Sequence, residues 1–176
     1  MKIVLILFLY LFPGNSAAQH FFITSCDKVM RVAHYRSESG QSANETTYSA
    51  IQWDVEEFED SGFSHDNVTN NTRISVSKTT KFLVMGVVNF YGTTGNYRLT
   101  NRLAIGVNGT VPDDSDNYWD ASYIRATSGS YSSGISFSTV IELNGGDYFE
   151  IFIKRISTTS GNGVITNGTN LTVIEL

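Results

Sequence analysis

Apolar and polar residues alternate along most of this chain with a period of two, the spacing that sends successive side chains to opposite faces of a β-strand. Val29-Met30-Arg31-Val32-Ala33-His34-Tyr35 reads as a first strand and Thr47 to Val55 as a second, with Tyr48, Ala50 and Trp53 directed inward. Arg73-Ile74-Ser75-Val76-Ser77 alternates cleanly, and Lys81 to Tyr91 is the longest and most continuously apolar run. Such a run predicts a central strand covered on both faces. Further strands are predicted over Arg98 to Val107, Trp119 to Ala126, Gly134 to Leu143, Tyr148 to Arg155 and Leu171 to Leu176. No stretch after the first residues carries a helical period. Asn108-Gly109, Asn144-Gly145 and Asn167-Gly168 are dipeptides that tight β-turns favour, because both residues tolerate positive φ. About eight to ten strands punctuated in this way predict an all-β, two-sheet antiparallel sandwich of jelly-roll type, one domain over residues 29 to 176.

The first residues, MKIVLILFLYLFPGNSAAQ, break this pattern. Lys2 precedes an apolar run from Ile3 to Phe12 that is too short to span a bilayer, Pro13-Gly14 ends it, and Ser16-Ala17-Ala18 places small residues before a cut. Residues 1–18 are read as a cleaved secretory signal, which makes the protein secreted and extracellular. Residues 19–28 then form an N-terminal extension in which Phe21, Phe22 and Ile23 are adjacent apolar residues with no evident place in a core. No later run approaches membrane-spanning length, so no membrane span is predicted.

Composition narrows the partners. The 176-residue chain has a formal net charge of −5 and 41% hydrophobic residues, enough apolar material for one core. An acidic chain with scattered Lys and Arg repels phosphate backbones, which excludes nucleic acid. Cys26 is the one cysteine, so no intrachain disulfide is available. Its thiol is buried, paired with a neighbouring chain, or modified; Ile23-Thr24-Ser25-Cys26 is a degenerate lipid-attachment box that lies well beyond the leader's apolar run.

Candidate chemistry concentrates in FEDSGFSHDNVTNNT, Phe58 to Thr72, which gathers Glu59, Asp60, His65 and Asp66 within one loop's length. Glu56, Glu57, Glu59 and Asp60 are too close in sequence to stand on opposite walls of a glycosidase cleft and suit a solvated strand edge. A triad would need a nucleophile elbow, and no G-x-S-x-G is present. One cysteine and His20, His34 and His65 give no zinc spacing. Asp113, Asp114 and Asp116 form an oxygen-rich loop and are the calcium candidates, although the segment lacks the Gly and distal Glu of an EF-hand. Gly161-Asn162-Gly163 is a lone G-x-G without a phosphate-binding lysine. No catalytic residue and no cofactor is assigned. Phe58 and Phe63 are expected to anchor the ends of a solvated connection, with Asp60-Ser61-Gly62 as a turn and His65 without a partner. Sequons begin at Asn44, Asn67, Asn70, Asn108, Asn167 and Asn170, all in turn-like segments, and are the glycosylation candidates.

Four segments taken in order carry a family resemblance. They are Val29-Met30-Arg31-Val32; Trp53-Asp54-Val55-Glu56-Glu57-Phe58-Glu59-Asp60-Ser61-Gly62-Phe63; Asn71-Thr72-Arg73-Ile74-Ser75-Val76 leading into Lys81-Phe82-Leu83-Val84; and Gly146-Asp147-Tyr148-Phe149-Glu150-Ile151. In this order the chain resembles the complement-component-1q and tumour-necrosis-factor-like jelly rolls, closest in style to versions in phage and environmental viral structural proteins. It departs from them in the turn before the long strand, where Ser77-Lys78-Thr79-Thr80 stands in place of a Pro and a Gly. The resemblance implies a non-enzymatic domain that assembles as a trimer, with one sheet of each subunit packed near the axis. Aromatics on the long strand and on Tyr148 to Ile153 are the candidates for that contact; the alternative is that the same residues fill the intrachain core.

The expected function is a secreted structural subunit that self-assembles into a homo-oligomer, either a trimer or a filament, and so builds an extracellular fibre or particle surface. Phe21, Phe22, Ile23 and Cys26 are the candidates for docking on a neighbouring subunit, with an added strand as one mode. The alternative is a surface-recognition module, an adhesin that binds a cell-surface protein or glycan through Asp113 to Trp119 and Thr127 to Ser133.

Overall fold

A computed structural model of the chain describes residues 30–38, 40–92, 97–113, 118–126, 132–156 and 163–176. The leader (1–18) and the extension (19–28), with Phe21, Phe22, Ile23 and Cys26, lie outside the described residues, as do Asp114, Asp116 and residues 127–131.

The described residues form strands and turns without a helix. Two antiparallel sheets face each other across one core. In the first sheet, β6 (Thr80–Gly92) is the central element. Along one edge it pairs with β9 (Ser132–Leu143), and along the other with β12 (Thr169–Glu175) and then β11 (Gly163–Ile165). β1 (Val32–Ser37) continues the sheet from β12, and β3 (Val55–Glu59) ends it. The second sheet runs β4 (Phe63–Ser64), β5 (Ile74–Val76), β10 (Tyr148–Arg155), β7 (Tyr97–Val107) and β8 (Tyr118–Ala126), with the two-residue β2 (Ser49–Ala50) also paired to β10.

The period-two pattern becomes the core directly. Ala33 and Tyr35 of β1, Phe82, Val84, Val88 and Phe90 of β6, Leu171 and Val173 of β12, and Phe149, Ile151 and Ile153 of β10 all point between the sheets and are buried. Removing that much apolar surface from water is the main force holding the sheets together.

Two predicted elements differ. Among the described residues the first strand begins at Val32, after Met30 and Arg31; Val29 lies outside them. The single strand expected over Thr47 to Val55 does not form; β2 and the start of β3 occupy its ends. Between them Ile51 donates its N–H to the Ile151 carbonyl and Trp53 donates to the Asn71 carbonyl, so the chain crosses between the sheets. This crossing buries Ile51 and Trp53, whereas Tyr48 and Ala50 are only half-buried. Trp53 is inward as expected, and alternation gave the wrong phase for Tyr48 and Ala50, because the backbone bonds to two different partners in succession.

The turn dipeptides act as expected in place, less so in detail. Asn108 (φ 52°) and Gly109 (φ 76°) are both left-handed, as a type I′ hairpin requires. At Asn167-Gly168 only the glycine takes positive φ, and at Asn144-Gly145 neither residue does; the next residue, Gly146, takes it instead.

Candidate assembly face

Each sheet has an outer face, and the two are finished differently. On the second sheet Phe152, Ala104 and Gly106 point outward, with Phe152 opposite Ala104 and Glu150 opposite Gly106. The chain covers them itself. After the Asn108-Gly109 turn it folds back so closely that a Cβ on Gly106 would sit 2.1 Å from the Thr110 carbonyl oxygen and 3.4 Å from Pro112. Phe152 is left 5% exposed and Glu150 7%. Glu150 is also satisfied, because it accepts the Thr72 hydroxyl at 2.5 Å and faces Arg73 at 3.7 Å. The aromatics predicted to meet a trimer axis from Tyr148 to Ile153 are therefore spent within the chain. Phe149, Ile151 and Ile153 fill the core, Phe152 lies under its own loop, and Arg73 stacks on the Tyr148 ring.

On the first sheet nothing described covers the outer face. Strand register sets its side chains in rows. Val140, Leu83, Ile174 and Val32 form one row across β9, β6, β12 and β1. The next is Ser138, Met85, Thr172, His34 and Phe58, and the third is Ser136, Val87, Asn170 and Arg36. Val140 is 52% exposed and Phe58 50%, and Leu83, Met85, Val87, Ile174 and Val32 are half-buried by their neighbours alone. The long strand is thus central, as predicted, but among the described residues it is covered on one face only. The signal for this face was its continuous apolar run; a single sequence does not say whether the second cover comes from the same chain.

The rim of the face is polar and fixed. Arg36 is bound by both Glu57 and Glu38, and Glu57 holds its guanidinium more firmly protonated than usual. His34 accepts or donates one bond at Nδ1 with the Thr172 hydroxyl, 2.9 Å away, and its ring stacks on Phe58 at 5.9 Å. Phe58 is therefore a surface residue, contrary to its expected role as an anchor, because β3 is the sheet edge and turns that side chain outward.

The Phe58 to Thr72 segment is also more structured than a solvated connection. It contains the end of β3 and all of β4, with the expected turn closed by Phe63 N–H to the Asp60 carbonyl at 3.0 Å. Phe63 is buried, as an anchor should be. Glu59 accepts the Tyr35 hydroxyl at 2.7 Å, and burial first, then that carboxylate, pushes the phenol's pKa well up. Asp60 accepts the Val32 N–H at 2.8 Å. His65, expected to lack a partner, has Nδ1 2.9 Å from the Arg73 carbonyl oxygen and Nε2 2.6 Å from that of Trp53, and packs edge-on to Tyr35. Partners distant in sequence account for each, which is why local spacing did not find them. Asp66 accepts the N–H groups of Thr69 and Val68, which hold its carboxyl below the usual range.

Of the calcium candidates, Asp113 is exposed, while Asp114 and Asp116 lie outside the described residues. Among the described residues no three His, Cys, Asp or Glu side chains gather to hold a metal. No described helix is long and apolar enough to cross a membrane. The sequons scatter. Asn44 is half-buried and accepts Gly163 N–H at 2.7 Å, Asn67, Asn70, Asn108 and Asn167 are exposed, and Asn170 lies in β12 rather than in a turn.

No protein-family model matches the chain, and no curated protein does. Solved structures do match. Murine APRIL at pH 8.0 is similar over 84% of this chain and 100% of its own, at 14% identity and a TM-score of 0.51. Murine APRIL at pH 8.5 and at pH 5.0 match over the same shares at 15% identity and a TM-score of 0.52. No family model or curated sequence supports the likeness to complement-component-1q domains of phage and environmental viral proteins. With its two antiparallel sheets and these neighbours, the chain has the jelly-roll fold of the tumour-necrosis-factor family's proteins.

Proposed function

We propose that this protein is a secreted, non-enzymatic subunit that associates with copies of itself through the outer face of the first sheet, as a trimer. The observation that carries the reading is the row Val140, Leu83, Ile174 and Val32 with Met85 and Val87 beside it: contiguous apolar side chains at the middle of a sheet whose opposite number covers its own outer face. Contiguous exposed apolar surface marks an interaction site. Self-association is the economical occupant, because closed rings of identical subunits are the common outcome for soluble homo-oligomers. The fold supports the trimer as the ring size, and the secretory leader supports the location. The extension 19–28 then supplies a second contact that joins closed units into a fibre or particle surface.

The test is multi-angle light scattering on residues 19–176, beside Leu83→Asp and a chain beginning at Val29. The expected result is a trimer or a multiple of it, a monomer for Leu83→Asp, and a lone trimer without residues 19–28. A wild-type monomer at micromolar concentration rejects the reading.

A further inference from the structure

The fold sorts the sequons by what surrounds them. Asn67 and Asn70 project from the β4–β5 loop of the second sheet, both exposed, with no side-chain hydrogen bond among the described residues. The backbone beneath them is held in place. Asp66 accepts the N–H groups of Val68 and Thr69 at 2.9 Å each, Arg73 N–H reaches the Asn70 carbonyl at 3.0 Å, and His65 pins the loop's base to the Trp53 and Arg73 carbonyls. Asn70 itself is in the left-handed region (φ 59°), which turns the chain sharply at the acceptor. The described residues leave both side chains open to solvent, where a bulky, solvated group can be added.

Asn170 is the opposite case. It lies in β12 between β6 and β1, opposite Val87 and Arg36, in the third row of the outward face. Adjacent strands are about 5 Å apart and residues on one face of a strand about 7 Å apart. A glycan there would stand over Val87 and Met85. Thr172, the hydroxyl residue of the same sequon, is in the second row beside Met85 and His34. The Asn170 amide donates to the Gly168 carbonyl at 3.0 Å, which lays it along the face.

We infer that the Asn67 and Asn70 loop is the glycan-bearing site of this protein, and that Asn170 has to stay unmodified for chains to associate. An N-linked glycan at Asn170 and assembly through this face exclude each other, so occupancy of that one sequon decides how much chain can assemble. The second half of the inference rests on the self-association reading; the first half does not.

The full chain, secreted from a cultured eukaryotic cell line, tests both. Size-exclusion fractions are weighed by light scattering and each is mapped for glycopeptides by mass spectrometry, for wild type, Asn170→Gln and the double variant Asn67→Gln/Asn70→Gln. The expected result is glycan at Asn67 or Asn70 in every fraction, and loss of the Asn170 glycopeptide from the oligomer. Any chain modified at Asn170 elutes as monomer, and Asn170→Gln returns it to the oligomer. The double variant lowers the mass and leaves the oligomer intact. An Asn170 glycan present in the oligomer in the same proportion as in the total secreted protein overturns the exclusion, and a loop free of glycan overturns the assignment of the site. Wild type and Asn170→Gln both monomeric, with the loop glycosylated, reject self-association and the Asn170 claim with it, and leave the loop assignment standing.

Discussion

Asp147 ties two turns together. Its Oδ1 accepts the Asn108 amide at 2.8 Å and its Oδ2 the Asn144 N–H at 2.7 Å, while Asn108 Oδ1 takes the Tyr148 N–H at 3.1 Å. These donors, Asn108 first, hold the Asp147 carboxyl below its ordinary pKa. A carboxyl whose folded pKa is depressed releases its proton more readily in the fold than in the unfolded chain. Its stabilising effect is therefore present above the unfolded value, about 3.9, and is lost as pH falls through the lower folded value. Asp147→Ala is expected to lower Tm at pH 7, with a gap to wild type that narrows below about pH 4, followed by circular dichroism. A gap constant from pH 7 to pH 2 would mean that the carboxylate's charge plays no part. His65 is the second residue of this kind. Replaced by Phe, it keeps a ring against Tyr35 and gives up its contacts to the Trp53 and Arg73 carbonyls. The expected cost is about 1–3 kcal/mol in urea unfolding, because half-buried carbonyls lose their partner. Neither role was fully legible locally: Asp147 closes its own turn onto Asn144, but its second partner, Asn108, lies in another turn, and the partners of His65 lie outside the loop that looked solvated.

Among elements, β6 was the most legible and β2 the least. Thirteen residues of sustained apolar alternation leave one reading for β6. Two residues of β2 between crossing bonds leave none. Within β6 the sensitive position is Gly86, where a Cβ would fall 2.1 Å from the Asn170 carbonyl oxygen and 3.0 Å from the Phe137 ring. The first of these contacts is backbone, which cannot rotate away, so β6 and β12 must part to admit a methyl group. Gly86→Ala is expected to cost about 1–3 kcal/mol, the range for overpacking, and to loosen the same strand pair that sets the rows of the outer face. Hydrogen exchange of the Thr172 and Ile174 amides, which like that of Leu176 face β6, reads this directly. Unchanged protection there would show that the pair tolerates the methyl.

For the whole molecule, the outward face makes a prediction separable from folding. Leu83 is half-buried and points away from the core, so Leu83→Asp is expected to cost the monomer about 1 kcal/mol, the scale of strand propensity, and to leave it folded. It is expected to abolish the oligomer, because a carboxylate buried between copies without a partner is strongly disfavoured. Loss of the fold on this change would place Leu83 in the core instead. Lys81, exposed on β6 beside the apolar rows, is the matched control, and Lys81→Ala leaves the oligomer in place.

The period-two pattern alone determined that this chain is an all-β sandwich, which strand is longest and central, and where most turns fall, because alternation and turn chemistry are local properties that each segment carries by itself. Only the tertiary structure decided the phase of the Ile51 to Trp53 crossing, the partners of His65 and Asp147, and the burial of Tyr148 to Ile153 within the chain. Those depend on bonds between residues far apart in sequence. The same is true of the outer faces: FEDSGFSHDNVTNNT and the long apolar strand looked alike whether the chain covered them or not, and it took the register of five strands to show that, among the described residues, β10 is covered by its own chain and the middle of the first sheet, with Asn170 on it, is not.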